Sequence, residues 1–290
     1  MKVTICVINY NDKTRVSRAI TSALNQTWHD KEVIVVDDGS DAETRNIYGQ
    51  FSDRIKLIQL EREDVRERNP SRPRNAGLKA ASGEFICFLD SDNYYDSRFV
   101  EESMRDIVDV SFCDWEIIGL DNYKIRMMDA WDLKRGILEN YLSKNHLDHQ
   151  CLLIRTEVMR KVGGYDERFP RSQDCDLMVR LMLGTSSWVY VDKPLFFFEK
   201  HEKGQTKGLA SIYGKTLWTL KNQLNATWLF PYMKTPAALL AYIQAFNTFL
   251  TDPAWSNDAE KLRAAAKNVA DEITEQSSEP APAGFAVVKE

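Results

Sequence analysis

FICFLDSDNYYD, running from Phe85 to Asp96, is the stretch on which the reading of this chain turns. Five apolar residues, Phe85–Leu89, stop abruptly at Asp90-Ser91-Asp92. A short apolar run closed by polar residues is the pattern of a strand buried on both faces. In an extended segment residues i and i+2 point the same way, so Asp90 and Asp92 offer two carboxylates to one side. Two such groups can share a hard divalent cation through oxygen. Asp-Ser-Asp is also good turn chemistry, and the tripeptide alone leaves both readings open.

The same design recurs upstream. VTICVI (3–8) reads as a buried strand ending at Asn9-Tyr10-Asn11, and Asp12 starts a helix with Val16, Ala19, Ile20, Ala23 and Leu24 at helical spacing. EVIVV (32–36) is a second strand, stopped by Asp37-Asp38-Gly39-Ser40. A helix over 41–50, a strand at 55–60 and a short helix at 74–82 lead into the strand at 85–89. Strands alternating with helices predict βα units and a mostly parallel sheet. Such sheets bind ligands beyond the carboxyl ends of their strands. Tyr10-Asn11, Asp37-Asp38 and Asp90-Ser91-Asp92 all fall there, and that coincidence is the first argument for a site.

Further along, 108–118 and 150–154 read as strands, 174–183 as a helix and 187–191 as a strand. From Gly208 the pattern becomes helical and aromatic, with a further helix over 257–276. SSEPAPAGFAVVKE at the end has little periodicity and reads as a flexible tail. The organisation expected is therefore a domain over 1–205, a helical extension over 206–276 and a tail over 277–290.

The 290 residues are 43% hydrophobic and 28% charged, the balance of a soluble globular protein. A net charge of −5 gives no general attraction to nucleic acid or anionic membrane. Five cysteines without CxxC spacing, four of them in apolar runs, read as buried free thiols of a reducing compartment rather than disulfides or a zinc site. MKVTICVINYND enters a strand at once, without a signal-peptide pattern, and no apolar run approaches the roughly 18 residues of a spanning helix. A cytoplasmic protein is expected. The apolar segment around PAALLAYIQAFNTFL makes residues 209–250 the candidate for a homodimer contact or a peripheral contact with the inner face of the membrane. A helix packed on the main domain explains the same segment.

Each polar cluster has a plain explanation beside a chemical one. Ser40 and Asp41 suit a helix cap, which leaves Asp37 and Asp38 unexplained directly after a buried strand. EREDVRERNPSRPRN (61–75) reads as a solvated charged loop, yet Arg74 opens a small-residue helix leading to the Asp90 strand. Its planar fork suits a diphosphate, with Arg72 as a rival. Asp174 and Asp176 suit the N-terminal turn of a helix through its dipole. His146 and His149 border the 150–154 strand, and Gly163-Gly164 makes either a turn or a close backbone approach to a ligand.

Taken in order, TICVINYND, VIVVDDGSDAET, RPRNAGLKAASGEFICFLDSDN, VGGYDERF, QDCDLMVRL and FFFEKH resemble the inverting glycosyltransferases of family 2 over roughly residues 3–205. The resemblance implies an α/β chain of GT-A fold: a Rossmann-like nucleotide-binding α/β/α sandwich on a mostly parallel central sheet, followed here by the C-terminal helical extension. It implies donor-nucleotide contacts from Tyr10, Asp37, Asp38, Arg74 and Asp90, with Asp38 beside Asp37 reading uracil and Arg74 near the diphosphate. Asp90 and Asp92 match the DXD motif, and Asp92 with His201 would hold Mn²⁺ or Mg²⁺. Asp174 matches the second acid of the ED motif, the general base. Gly164 and His149 are candidates for the donor-sugar or acceptor side. Two positions depart from the pattern: Ile8-Asn9 precede Tyr10 where a Pro is usual, and Gln173 replaces the first acid of the ED pair.

The activity implied is metal-dependent transfer of a sugar from a nucleotide-sugar, a UDP-sugar by the Asp38 match, to a hydroxyl of a saccharide or lipid-linked saccharide in polysaccharide or glycoconjugate assembly. Two alternatives stand beside it. Gln173 fits a catalytically degenerate relative that binds nucleotide as a scaffold. A nucleotidyltransferase shares the α/β core, but VINYNDKTR lacks the glycines of a triphosphate loop.

Overall fold

The structure, a computed structural model, describes residues 1–61, 69–119, 123–125, 137, 140–141, 147–167, 173–201 and 286–288. Arg62, Arg66, Arg68, His146, the extension of 206–276 and its 209–250 segment lie outside the described residues. Residues 1–127, 148–205 and 286–290 form one compact unit, and 128–147 with 206–285 another.

The first unit is built on a central sheet. Strands β1 (Val3–Asn9), β2 (Lys31–Asp37), β3 (Lys56–Gln59) and β4 (Phe85–Asp90) run parallel in the order β4-β1-β2-β3. Every residue of β1 is buried, as a central parallel strand covered on both faces requires. Helix α1 (Val16–Leu24) buries Val16, Ala19, Ile20 and Ala23, the i, i+3, i+4, i+7 stripe. Full burial of Val16 and Ile20 is worth about 1.5–3 kcal/mol each.

Beyond β4 the sheet continues through β8 (Leu152–Arg155), antiparallel to both neighbours, then β6 (Val110–Gly119) and β9 (Trp188–Lys200). Short strands β5 (Tyr94–Tyr95) and β7 (Tyr123–Ile125) pair with β9 and β6. Helix α2 (Ala42–Ile47) and the 3₁₀ turn Tyr48–Phe51 follow β2, and α3 (Ser71–Ala80) packs on β1 and β2. Helix α4 (Phe99–Met104) packs on β6 and β9; α5 (Thr156–Lys161) follows β8 and packs on α6 (Gln173–Gly184).

Helices α4 and α5 and strands β5 and β7 have no counterpart in the sequence expectation, and three further elements differ from it. Helix α3 begins three residues before 74, because Pro73 sits in the first turn, where its missing N–H has no intrahelical partner to lose. Strand β9 runs on from 191 to Lys200. Asp192 and Lys193 are accommodated where the register with β6 shifts around Asp114, and Pro194 is tolerated at that irregularity. Within the expected tail, Ala286–Val288 forms β10, parallel to Val189–Val191. An apolar, β-branched triplet finds unpaired backbone groups there on the edge of β9. The five cysteines are free, four of them buried.

Candidate active site

The pairing of β1 with β2 sets Asn9 against Asp37, and its pairing with β4 sets Ile8 against Asp90. Three polar strand ends therefore lie side by side. The backbone fastens them: Asp38 N–H donates to Asn9 O (2.9 Å) and Ser91 N–H to Ile8 O (2.9 Å). Asn11 adopts a left-handed conformation (φ 51°), which Asn tolerates. Its N–H donates to Ser40 Oγ (2.9 Å) and its Oδ1 accepts from Asp41 N–H (2.8 Å), locking the loops after β1 and β2 together.

The two acids after β2 are not equivalent. Asp37 is fully buried and internally engaged: Oδ1 accepts from the Tyr48 hydroxyl (2.8 Å), and Oδ2 takes the Arg45 Nε–H (3.2 Å) and the Ser40 N–H (3.2 Å). Asn9 Nδ2 donates to the same Tyr48 oxygen (2.7 Å). Asp37 thus fastens the turn after β2, and Asp38, also buried, ties that turn to β1 through its N–H. Asp41 caps α2, accepting from Thr44 N–H (2.8 Å), as its position suggests.

Arg74 is 3% exposed, and its Nη2 donates to both oxygens of Asp90 (2.7 and 2.9 Å). Burial disfavours its charge, but Asp90, Tyr165 and Asp174 outweigh it and hold the guanidinium firmly protonated. The guanidinium carbon lies 5.2 Å from the Tyr165 ring centroid. Nε and Nη1 have no hydrogen-bond partner among the described residues, an arrangement suited to an anionic ligand. Arg72 instead donates to Glu61 O (2.9 Å).

Asp92 and His201 meet although 109 residues separate them: Nε2 of the imidazole is 3.3 Å from Asp92 Oδ2. Burial, then the Asp90 charge, pushes the Asp92 carboxyl up to about 6, against the opposing pull of His201. A carboxylate oxygen and an imidazole nitrogen are a donor set for Mn²⁺, with Mg²⁺ less favoured. Their spacing is near the roughly 3 Å between adjacent ligands held at about 2.1 Å from one ion. The pair therefore fits a divalent cation. Among the described residues no group of three His, Cys, Asp or Glu is placed to hold one, so other ligands would come from donor and water.

Asp174 lies in the first turn of α6, and its charge bears on Arg74, Tyr165 and Asp148. Asp176 is buried and pairs with Arg180, whose Nη1 donates to Val162 O (2.6 Å) and Gly164 O (2.7 Å). Gly164 (φ 67°) packs close to α3; a Cβ there would lie 2.8 Å from Asn75 Oδ1. His149 is buried, with Nδ1 3.3 Å from Asp148 Oδ1 and its ring edge-on to Tyr165 at 5.9 Å.

Four residues of the site went unnoticed in the sequence. Asp148 lies beside His149 and feels the charges of Asp174 and Asp90; burial raises its pKa. Tyr165 packs against Arg74, Phe88 and His149. Gln150 fastens the Asp90-Ser91-Asp92 turn, its Oε1 accepting from Asp90 N–H (2.8 Å) and Asn93 Nδ2 (3.2 Å). Arg18 donates to the Asp92 carbonyl (2.8 Å). The aromatic of VGGYDERF was a visible signal for Tyr165; nothing local marked the other three.

The glycosyl transferase family 2 model matches residues 4–163. A poly(ribitol-phosphate) β-N-acetylglucosaminyltransferase of Staphylococcus aureus, TarP, is 35% identical over 105 residues, 35% of this chain and 31% of that protein. The chain spans at most 66% of the length of the first curated relatives it matches. Among solved structures, S. aureus TarS residues 1–349 with UDP-GlcNAc superposes with a TM-score of 0.61 at 19% identity, over 97% of this chain and 93% of that one. A mannosyltransferase of Pyrobaculum calidifontis with GDP-Man and Mn²⁺ gives 0.59 at 15% identity, over 96% and 76%. The fold is the GT-A-like α/β fold of these structures. More than half of the sequence, including every strand end of the β4-β1-β2 site, falls within the family match: the chain belongs to glycosyl transferase family 2.

Proposed function

We propose that this chain transfers a sugar from a UDP-sugar to an acceptor hydroxyl, with inversion and with a divalent cation, in polysaccharide or glycoconjugate assembly. The observation that carries the proposal is the row of strand ends where Arg74 pairs with Asp90 two residues from the Asp92–His201 pair. The UDP-GlcNAc in the TarS structure and the relative acting on poly(ribitol-phosphate) support the donor class and the pathway. The Mn²⁺ in the mannosyltransferase structure supports the cation.

In this reading Tyr10 and Asp38 take the base. Arg74 directs its unused N–H groups at the diphosphate while Asp90 keeps it charged and aimed. A cation held by Asp92 and His201 would offset the negative charge that grows on the departing diphosphate. The acceptor oxygen forms its bond to the anomeric carbon as the bond to the diphosphate breaks on the opposite face. Asp174 takes the acceptor proton, a role worth about 10²–10⁴ in rate. His149 and Gly164 lie towards the sugar or acceptor.

The test is a thermal-shift panel of UDP, GDP, CDP and ADP with and without Mn²⁺, on wild type and Asp92→Ala. A ligand that binds only the folded state raises its melting temperature. A shift for UDP that requires Mn²⁺ and disappears in Asp92→Ala is expected. A shift for GDP instead overturns the base assignment at Asp38. No shift for any nucleotide, in folded protein, removes the donor site.

A further inference from the structure

Asp92 and His201 belong to segments far apart in sequence, so their 3.3 Å approach must be imposed by other residues. The β5–β9 pairing anchors the segment after the Asp90-Ser91-Asp92 turn to β9, Arg15 pairs with Glu199 (3.8 Å), and two further connections join the turn itself to the end of β9. Asn93, which follows Asp92, accepts the Glu199 N–H on Oδ1 (3.0 Å) while its amide donates to Gln150 Oε1 (3.2 Å). Arg18 of α1 reaches both segments at once: Nη2 donates to the Asp92 carbonyl (2.8 Å), and Nη1 forms an ion pair with the Glu199 carboxylate. Its guanidinium also lies over the Tyr94 ring, 4.6 Å from the centroid, and that ring stacks on Phe197 at 4.8 Å.

We propose that Arg18 is a positioning residue of the metal pair, clamping the turn that carries Asp92 to the strand end that carries His201 through Glu199. The inference rests on the proposed cation site and adds what sets its spacing. The physical case is one of leverage. Arg18 is 39% exposed, so its ion pair contributes little to global stability. Its fork nevertheless joins the residue before Asn93 to the residue two before His201. A planar guanidinium with fixed donor directions can hold two acceptors at a set spacing, which a single ammonium cannot. Groups that orient metal ligands in this way are worth about 10–100-fold in metal affinity.

The experiment is titration of Mn²⁺ into the 290-residue protein with saturating UDP, following free Mn²⁺ by electron paramagnetic resonance. Arg18→Ala, Glu199→Ala, the double variant and Asp92→Ala are compared with wild type. Arg18→Ala is expected to weaken Mn²⁺ binding about tenfold, with melting temperature and metal-free UDP binding unchanged. The double variant should be no weaker than either single one, because both remove the same clamp. Should Arg18→Ala not fold, Arg18→Lys carries the test and should also weaken binding. Wild-type Mn²⁺ affinity in Arg18→Ala, or penalties that add in the double variant, overturns the clamp while leaving the cation site intact. Wild-type protein that binds Mn²⁺ no better than Asp92→Ala overturns both.

Discussion

Nη2 of Arg74 lies 2.7 and 2.9 Å from the two carboxylate oxygens of Asp90, tying the first turn of α3 to the end of β4. One nitrogen makes the whole pair, and Nε and Nη1 are left with no hydrogen-bond partner among the described residues. A buried donor without a partner costs free energy that a ligand can recover. The pair thus keeps the guanidinium charged and leaves its other two donor nitrogens without a partner among the described residues.

Arg74→Lys retains a charge but loses the fork. UDP affinity is expected to fall at least tenfold, while uridine, which lacks the diphosphate, binds as to wild type. Calorimetric titration with both ligands checks this. Equal losses for UDP and uridine would place Arg74 outside the phosphate site.

Asp174→Asn should bind UDP-sugar normally and lose turnover by about 10²–10⁴. Single-turnover transfer to an acceptor, measured beside donor affinity, separates the two effects. Turnover within a few-fold of wild type would remove Asp174 as the base.

Glu32 on β2 accepts from Thr4 Oγ (2.6 Å), Ser82 N–H (2.6 Å) and Ser82 Oγ (2.9 Å), with the Lys2 ammonium at 3.3 Å. Burial opposes its charge, but these partners lower its pKa from 4.5 to about 2. A carboxylate whose folded pKa is depressed stabilises the fold above its unfolded pKa, and that contribution disappears as pH falls through its folded one. Wild type should exceed Glu32→Gln in stability at neutral pH, with the difference shrinking between pH 4.5 and 2. Urea denaturation across that window is the check; a pH-independent difference would contradict the assignment.

Gly77 lies inside α3, where Ala would ordinarily gain up to about 1 kcal/mol. A Cβ there would sit 2.1 Å from Cys6 Sγ, in a strand with no room to move. Gly77→Ala should therefore destabilise by about 1–3 kcal/mol, and adding Cys6→Ala should recover most of the loss. Thermal melts of the single and double variants decide it.

Much of this was legible one residue after another. Apolar runs ending in Asn9, Asp37 and Asp90 announce parallel strands whose carboxyl ends share an edge, because hydrogen bonding and burial on both faces act locally. The helix start at Asp174 and the cap at Asp41 are local too. Asp37 and Asp38 look alike in sequence and both are buried; packing alone sets Asp37 against Tyr48 and Arg45.

The sequence by itself determined the order of strands and helices as far as β4, the polar strand ends and the family, since periodicity, turn chemistry and motif spacing are short-range properties. Tertiary structure alone decided which distant groups touch. Arg74 pairs with Asp90 and His201 meets Asp92 because crossovers and strand register bring separate elements to one sheet edge. Arg18, 74 residues from Asp92, joins them for the same reason. No local pattern encodes these meetings, because contact across a sheet is fixed by packing of the whole chain.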